Sequence, residues 1–328
     1  MVLESNCNHQ YEGGGFCAEP REGNSEFCFF HDADIPKNNP ESTARIIEAI
    51  KAKKRLDGAR LQKADLSHAD LSGARLVKAH LEDCAFVRTN FEGAHLFCAS
   101  FQNANLFNAN FRRANLKETD MRGANLLEIK IDEAKILGIQ WGFKGVVQNE
   151  VEGRELEKAG KIKGSKEKFR EAEEIYRNIR IHLMAVGIFD EAADFFYREM
   201  VVRRKQLPLY SVPRLSSKVI DLLCGYGEKT FRVIGFSASF VVLNSFAFFC
   251  FGIRYGDDVL RYASNQTLAE NMREYLLCLY FSGVTLTTLG YGDIAPIGIS
   301  RAFAVNEAFC GAFMMALFVL VFGRKMIR

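Results

Sequence analysis

Long hydrophobic runs are missing from the first 232 of the 328 residues, and the chain has no dominant charge. The opening MVLESNCNHQYEGGG has neither a basic start nor an apolar stretch, so no secretory signal is expected and this part of the chain is expected to stay in the cytoplasm. Lys and Arg number 43 against 40 Asp and Glu, a net charge of +3, which gives no reason to expect a nucleic-acid partner. There is no Gly-rich phosphate loop and no nucleophile paired with a base, so no enzyme is expected. The nine cysteines are scattered from Cys7 to Cys310, several inside apolar runs, and read as small hydrophobes in a reducing compartment, without a disulfide framework. The average composition is that of a soluble protein, but it conceals a segregation: the chain beyond Arg232 is mostly apolar.

Residues 1–40 are polar and Gly-rich and contain CNHQYEGGGFCAEPREGNSEFCFFH. The thiolates of Cys7, Cys17 and Cys28 with the imidazole of His31 form a donor set able to close a tetrahedral zinc site, and a segment with so few apolar residues needs such a staple. Its tail, FCFFH, puts two ligands within one turn and resembles small Cys3His zinc knuckles at the ends of prokaryotic proteins. His9 offers a substitute ligand, and a polar tail with incidental cysteines is the alternative. Within 41–58, STARIIEAIKAKKR reads as an amphipathic helix that could cap the next part of the chain.

From Leu61 to Ile136 every fifth residue is large and apolar, and Ala stands two residues before most of them, from Ala59 to Ala134. A helix repeats near 3.6 and a strand at 2, so a period of five belongs to neither. It suits a solenoid in which both residues point inward and four repeats close one square coil. The segments ADLSH, ADLSG, ANLFN and ANLLE resemble the pentapeptide-repeat family, which implies a right-handed quadrilateral β-helix over 59–138. Sixteen repeats make four coils, a rod ~20 Å tall at the usual strand spacing. Some members of that family mimic DNA, which demands an acidic surface, but ten acidic residues face eleven basic ones between Ala59 and Gly138. A rigid spacer or an oligomerisation module is the expected role.

Residues 139–231 are charged and helical in pattern. After Trp141 and a Gly/Lys/Glu-rich connector, Phe169, Ala172, Ile175, Tyr176, Ile179 and Leu183 mark one helix face, and Phe189, Ala192, Ala193, Phe196 and Met200 a second. The pair resembles one tetratricopeptide-like hairpin, whose open face must pack on the solenoid, a neighbouring subunit or the pore.

Residues 232–328 carry two apolar stretches, 233–253 without a charge and 301–323 with the lone acid Glu307, each long enough for a bilayer core of about 30 Å. Arg214, Lys218, Lys229 and Arg232 precede the first, and Arg324, Lys325 and Arg328 lie beyond the second, so both termini are expected in the cytoplasm and the protein multi-pass in the cell membrane. Between them, 273–287 is apolar but too short to span, which fits a re-entrant pore helix, and TLTTLGYGD comes at its end. Gly290 and Gly292 free the backbone so that successive carbonyls can face one axis.

This segment resembles the selectivity filter of two-transmembrane potassium channels, with Leu289 in place of valine. The resemblance implies a tetramer in membrane lipid with K+ as permeant ion, bound by Thr288, Leu289, Gly290, Tyr291 and Gly292 within a filter at 288–293. It implies Thr287, Tyr280 and Phe281 as filter support, and it leaves Asp293 in need of a partner because Val284 replaces the glutamate of some relatives. Gly311 fits a gating hinge and close packing against the pore helix equally well. Glu307 is either a functional group within the span or a support hydrogen-bonded behind the pore helix. No helix has arginine at every third position, so no voltage sensor is expected, and with five residues after Gly323 no C-terminal ligand-binding module is expected either. Regulation by a cytoplasmic protein or ligand is assigned to the N-terminal region. The alternative is a membrane-anchored scaffold that recruits a cytoplasmic partner.

Overall fold

The computed structural model describes residues 6–12 and 14–327. The chain divides into two compact units, Met1–Pro208 and Leu209–Arg328.

The first unit begins with an irregular segment and helix α1 (Pro40–Lys51), whose Asn39 side chain caps the Ser42 amide. The repeat region comes next. Residues twenty apart pair in parallel, from Arg55 with Arg75 to Asp120 with Gln140, so one turn takes four pentapeptides. The large residues from Leu61 to Ile136 are buried, as are the alanines before them. Phe86, Phe91, Phe101 and Phe111 fill the middle of the rod, Phe91 and Phe111 stacked 4.8 Å apart. Where the small inward residue is polar, its hydrogen goes to the main chain: Cys84 Sγ donates to Leu61 O (3.0 Å), Thr89 Oγ1 to Leu66 O (2.7 Å) and Thr119 Oγ1 to Leu116 O (2.9 Å). Burial pushes the Cys84 thiol up to about 12.

The corner of each repeat carries a backbone demand that residue type does not announce. Lys63, His68, Gly73, Lys78, Asp83 and Arg88 all have positive φ, and the series continues to Gly138. A Cβ at Gly73 would meet nothing within 4 Å, so Gly73→Ala tests the backbone alone. It is expected to cost about 1–2 kcal/mol in chemical denaturation, the penalty of an L-residue in the left-handed region.

Helices α2 (Gln148–Lys158), α3 (Ile162–Ala185) and α4 (Phe189–Gln206) close the far end of the rod. Of the partners open to the α3–α4 hairpin, the solenoid is one it takes: Asn178 Nδ2 donates to Ile129 O (2.8 Å) and His182 Nε2 meets Asp132 Oδ1 (3.0 Å). The expected apolar face of α3 is buried, from Phe169 to Leu183. The face of α4 differs from expectation, because its buried residues are Ala192, Phe195, Glu199 and Val202. Glu199 turns inward because Arg177 (3.1 Å) and Arg180 (2.8 Å) neutralise it. The connector after Trp141 folds as α2, held by Gly153 against the Phe169 ring and by Tyr176 Oη donating to Glu150 Oε2 (2.5 Å).

In the second unit, α5 (Val212–Cys224) leads through a one-turn elbow at Gly225–Gly227 into α6 (Thr230–Phe251). Short strands β1 (Ile253–Tyr255), β2 (Asp258–Leu260) and β3 (Ile294–Pro296) form an antiparallel sheet in the order β2-β1-β3. Helix α7 (Leu268–Leu286) and helix α8 (Ser300–Ile327) complete the unit, and α6, α7 and α8 all pack on one another. Over Thr230–Phe251 and Ser300–Met326 the mean hydropathy reaches 1.9 and 2.0, yet large side chains such as Leu243, Phe246, Phe309 and Leu320 are exposed. Helices apolar all round with bare flanks are those of a membrane protein.

Candidate ion pathway and metal-ligand cluster

Helix α7 starts at a capping box, Thr267 with Glu270, which satisfies its first amides. It ends at Leu286, and the Thr287 hydroxyl folds back onto Gly283 O (2.8 Å). The backbone then alternates in hand: φ is +56° at Thr288, +56° at Gly290 and +80° at Gly292. Leu289 and Tyr291 between them expose their side chains, and a Cβ at either glycine would meet no atom within 4 Å. The segment 288–293 thus lies open on the single chain.

Behind it the packing is dense. The Phe281 ring sits edge-on to Phe248 of α6 at 4.9 Å, and the Tyr280 side chain lies near the Asp293 carboxylate. Glu307 of α8 is fully buried and bonds the Ser282 hydroxyl of α7, which also reaches Val241 O of α6 at 3.0 Å. One serine therefore joins three helices. A Cβ at Gly311 would lie 2.0 Å from the carbonyl oxygen of Leu286, so α8 touches α7 through bare backbone. Ser282 was not singled out from sequence; the available signal is a lone serine in the apolar run LYFSGV, where lipid offers its hydroxyl no partner.

The second site lies in the first unit. A hairpin, paired at Asn6 with Pro20 and at Gln10 with Phe16, brings Cys7 and Cys17 side by side despite ten residues of separation. Cys28 and His31 sit in one tight turn, with the His31 amide bonded to Cys28 O (3.0 Å). All four side chains are buried and their ligand atoms lie within 4.8 Å of one another. Cys17 Sγ is 3.9 Å from Cys28 Sγ, and His31 Nδ1 is 3.2 Å from Cys28 Sγ and 3.6 Å from Cys7 Sγ. Tetrahedral zinc with ordinary Zn–S and Zn–N bonds separates its ligand atoms by about 3.6–3.8 Å, so the donor set fits. Cys28 beside it lowers the Cys17 thiol far below the usual range. His31 Nε2 faces Asp57 O at 3.1 Å and so carries the proton, which leaves Nδ1 free as a ligand. His9 is not among the four: its ring stacks on His31 at 3.8 Å.

Comparison with known proteins agrees with this division. The family described as ion channel matches residues 239–328, and that described as pentapeptide repeats (8 copies) matches 55–93, 74–113 and 99–136. Protein LctB of Bacillus caldotenax and Protein LctB of Geobacillus stearothermophilus are each 51% identical over 41 residues, 12% of this chain and 31% of theirs. The match thus spans about a third of the length of these curated relatives. Among solved structures, the pentapeptide repeat protein Rfr23 of Cyanothece 51142 is 38% identical over 28% of this chain and 63% of its own, with a TM-score of 0.27. A pentapeptide repeat protein of the Arabidopsis thaliana thylakoid lumen is 33% identical over 24% of this chain and 52% of its own, with a TM-score of 0.23. The chain is therefore a fusion, in which a pentapeptide-repeat domain precedes a domain of the ion channel family.

Proposed function

We propose that the chain is one subunit of a tetrameric potassium-selective channel of the two-transmembrane class, with α6 and α8 as spans in the cell membrane and both termini cytoplasmic. What carries the reading is the backbone after α7: alternating hand at Thr288, Gly290 and Gly292 suits a row of carbonyls aimed at one axis, which four chains would complete into oxygen rings. The Thr288 hydroxyl adds a further ring. The apolar part of α7, from Tyr275 to Leu286, is only about 18 Å long and acts as a re-entrant pore helix, too short for a bilayer core.

The first unit is assigned a cytoplasmic assembly or regulatory role, with a right-handed quadrilateral rod, a tetratricopeptide-like hairpin as a surface for a protein or ligand, and a structural zinc ion at Cys7, Cys17, Cys28 and His31. Helix α5 exposes Val212, Leu215, Val219 and Leu222, an apolar face suited to lipid at the bilayer surface. Glu228, just past the elbow, pairs with Arg324 of α8 at 3.3 Å, so movement of α5 has a route to the inner end of the second span.

Purified protein in liposomes is expected to pass K+ at least about tenfold faster than Na+, and Tyr291→Ala, a change inside the proposed carbonyl row, is expected to erase the difference. Absence of flux, or flux indifferent to Tyr291→Ala, would leave the anchored scaffold as the better reading.

A further inference from the structure

A solenoid ends on unpaired backbone and bare core, and both must be covered for the first turn to be stable. Inside the rod the inner amides from His80 onward bond the preceding turn: His80 N donates to Ala59 O (2.8 Å) and Ser100 N to Ala79 O (2.9 Å). Arg60 stands one turn earlier than His80, and its amide has no preceding turn to meet. It donates instead to Phe30 O at 2.7 Å. The Phe30 carbonyl thus stands in for the missing coil, and the rings of Phe29 and Phe30 are buried in the same core as Leu56 and Leu61. Two more bonds join the segment to this turn, His31 Nε2 to Asp57 O (3.1 Å) and Tyr11 Oη to Arg55 O (2.9 Å).

Phe29 and Phe30 lie between Cys28 and His31, inside the turn that two of the four ligands define. Residues 6–32 contain two isolated bridges and no helix among the described residues, so local structure alone cannot hold that turn in place. We propose that the metal at Cys7, Cys17, Cys28 and His31 is the clamp that makes the N-terminal segment the cap of the solenoid's first turn. This rests on the zinc reading and adds to it a mechanical consequence: the ligand pair fixes the Phe30 carbonyl, and that carbonyl fixes the edge of the rod. The surface at this end of the rod then exists only in the metal-loaded chain.

The test measures zinc per chain in the full-length protein by mass spectrometry, and amide exchange before and after removal of the metal with a chelator. One zinc per chain is expected, absent in Cys28→Ser. On removal, amides of residues 56–64 are expected to lose protection about tenfold or more, while those of 116–136 at the far end hold. Bound zinc with no change at 56–64 on its removal would overturn the clamp and leave the zinc reading standing. A chain that neither contains zinc nor takes it up would overturn both.

Discussion

Gly311→Ala is expected to abolish most conduction while the chain still reaches the membrane. The added methyl would sit 2.0 Å from Leu286 O and 2.9 Å from Leu286 Cα, both backbone atoms that no rotamer change can move. Either α8 withdraws or the end of α7 shifts, and overpacking of this kind costs about 1–3 kcal/mol or more. Leu286 directly precedes Thr287 and the segment 288–293, so a shift there passes straight into the proposed filter. Two measurements separate packing from hinge action. Removing a glycine from a helix interior gains about 1 kcal/mol when nothing clashes, so a hinge glycine predicts a higher melting temperature and altered gating with selectivity intact. Close packing predicts a lower melting temperature and lost K+ flux in liposomes. The geometry favours the second outcome, and a stabilised, selective variant would overturn it.

Glu307→Ala is the second change with a large effect. The carboxyl group is fully buried and bonds Ser282, whose hydroxyl also meets Val241 O, so alanine removes the link between α8 and α7 and leaves a cavity. The two losses together are expected to cost about 2–4 kcal/mol, read as a lower melting temperature of the assembled protein in detergent. Glu307→Gln keeps a hydrogen-bonding group of nearly the same shape at the same place and is expected to conduct nearly as wild type. If the charge itself served the permeating ion, Gln would be as harmful to flux as Ala. Equal loss in the two variants would therefore move Glu307 from a support to a direct role.

Parts of this chain could be read without coordinates because short-range periodicity carried them. A period of five from Leu61 to Ile136 leaves one way to bury every large residue, and the rod has four pentapeptides per turn. The stripe of α3 was legible for the same reason, since Phe169, Ala172, Ile175, Tyr176, Ile179 and Leu183 recur at helical spacing. On α4 the same reasoning chose Phe196 and Met200, whereas the buried positions include Glu199, because two arginines of the neighbouring helix outweigh its polarity. Composition also hid α2, whose charged sequence is helical through contacts with α3.

What the amino-acid sequence determined by itself is local: the repeat, the two apolar stretches, the glycines of TLTTLGYGD and the Cys and His donor types, each set by residue chemistry and spacing along one segment. The tertiary structure decided everything that depends on a partner far away in the chain. It chose Cys7 and Cys17 as neighbours through a hairpin, and it set Phe30 O against the amide of Arg60. It joined Glu307 to Ser282 and pressed Gly311 onto Leu286. These are contacts at a few ångströms between residues 10 to 30 positions apart, and only the packed chain brings such atoms within the range where hydrogen bonds and steric exclusion act.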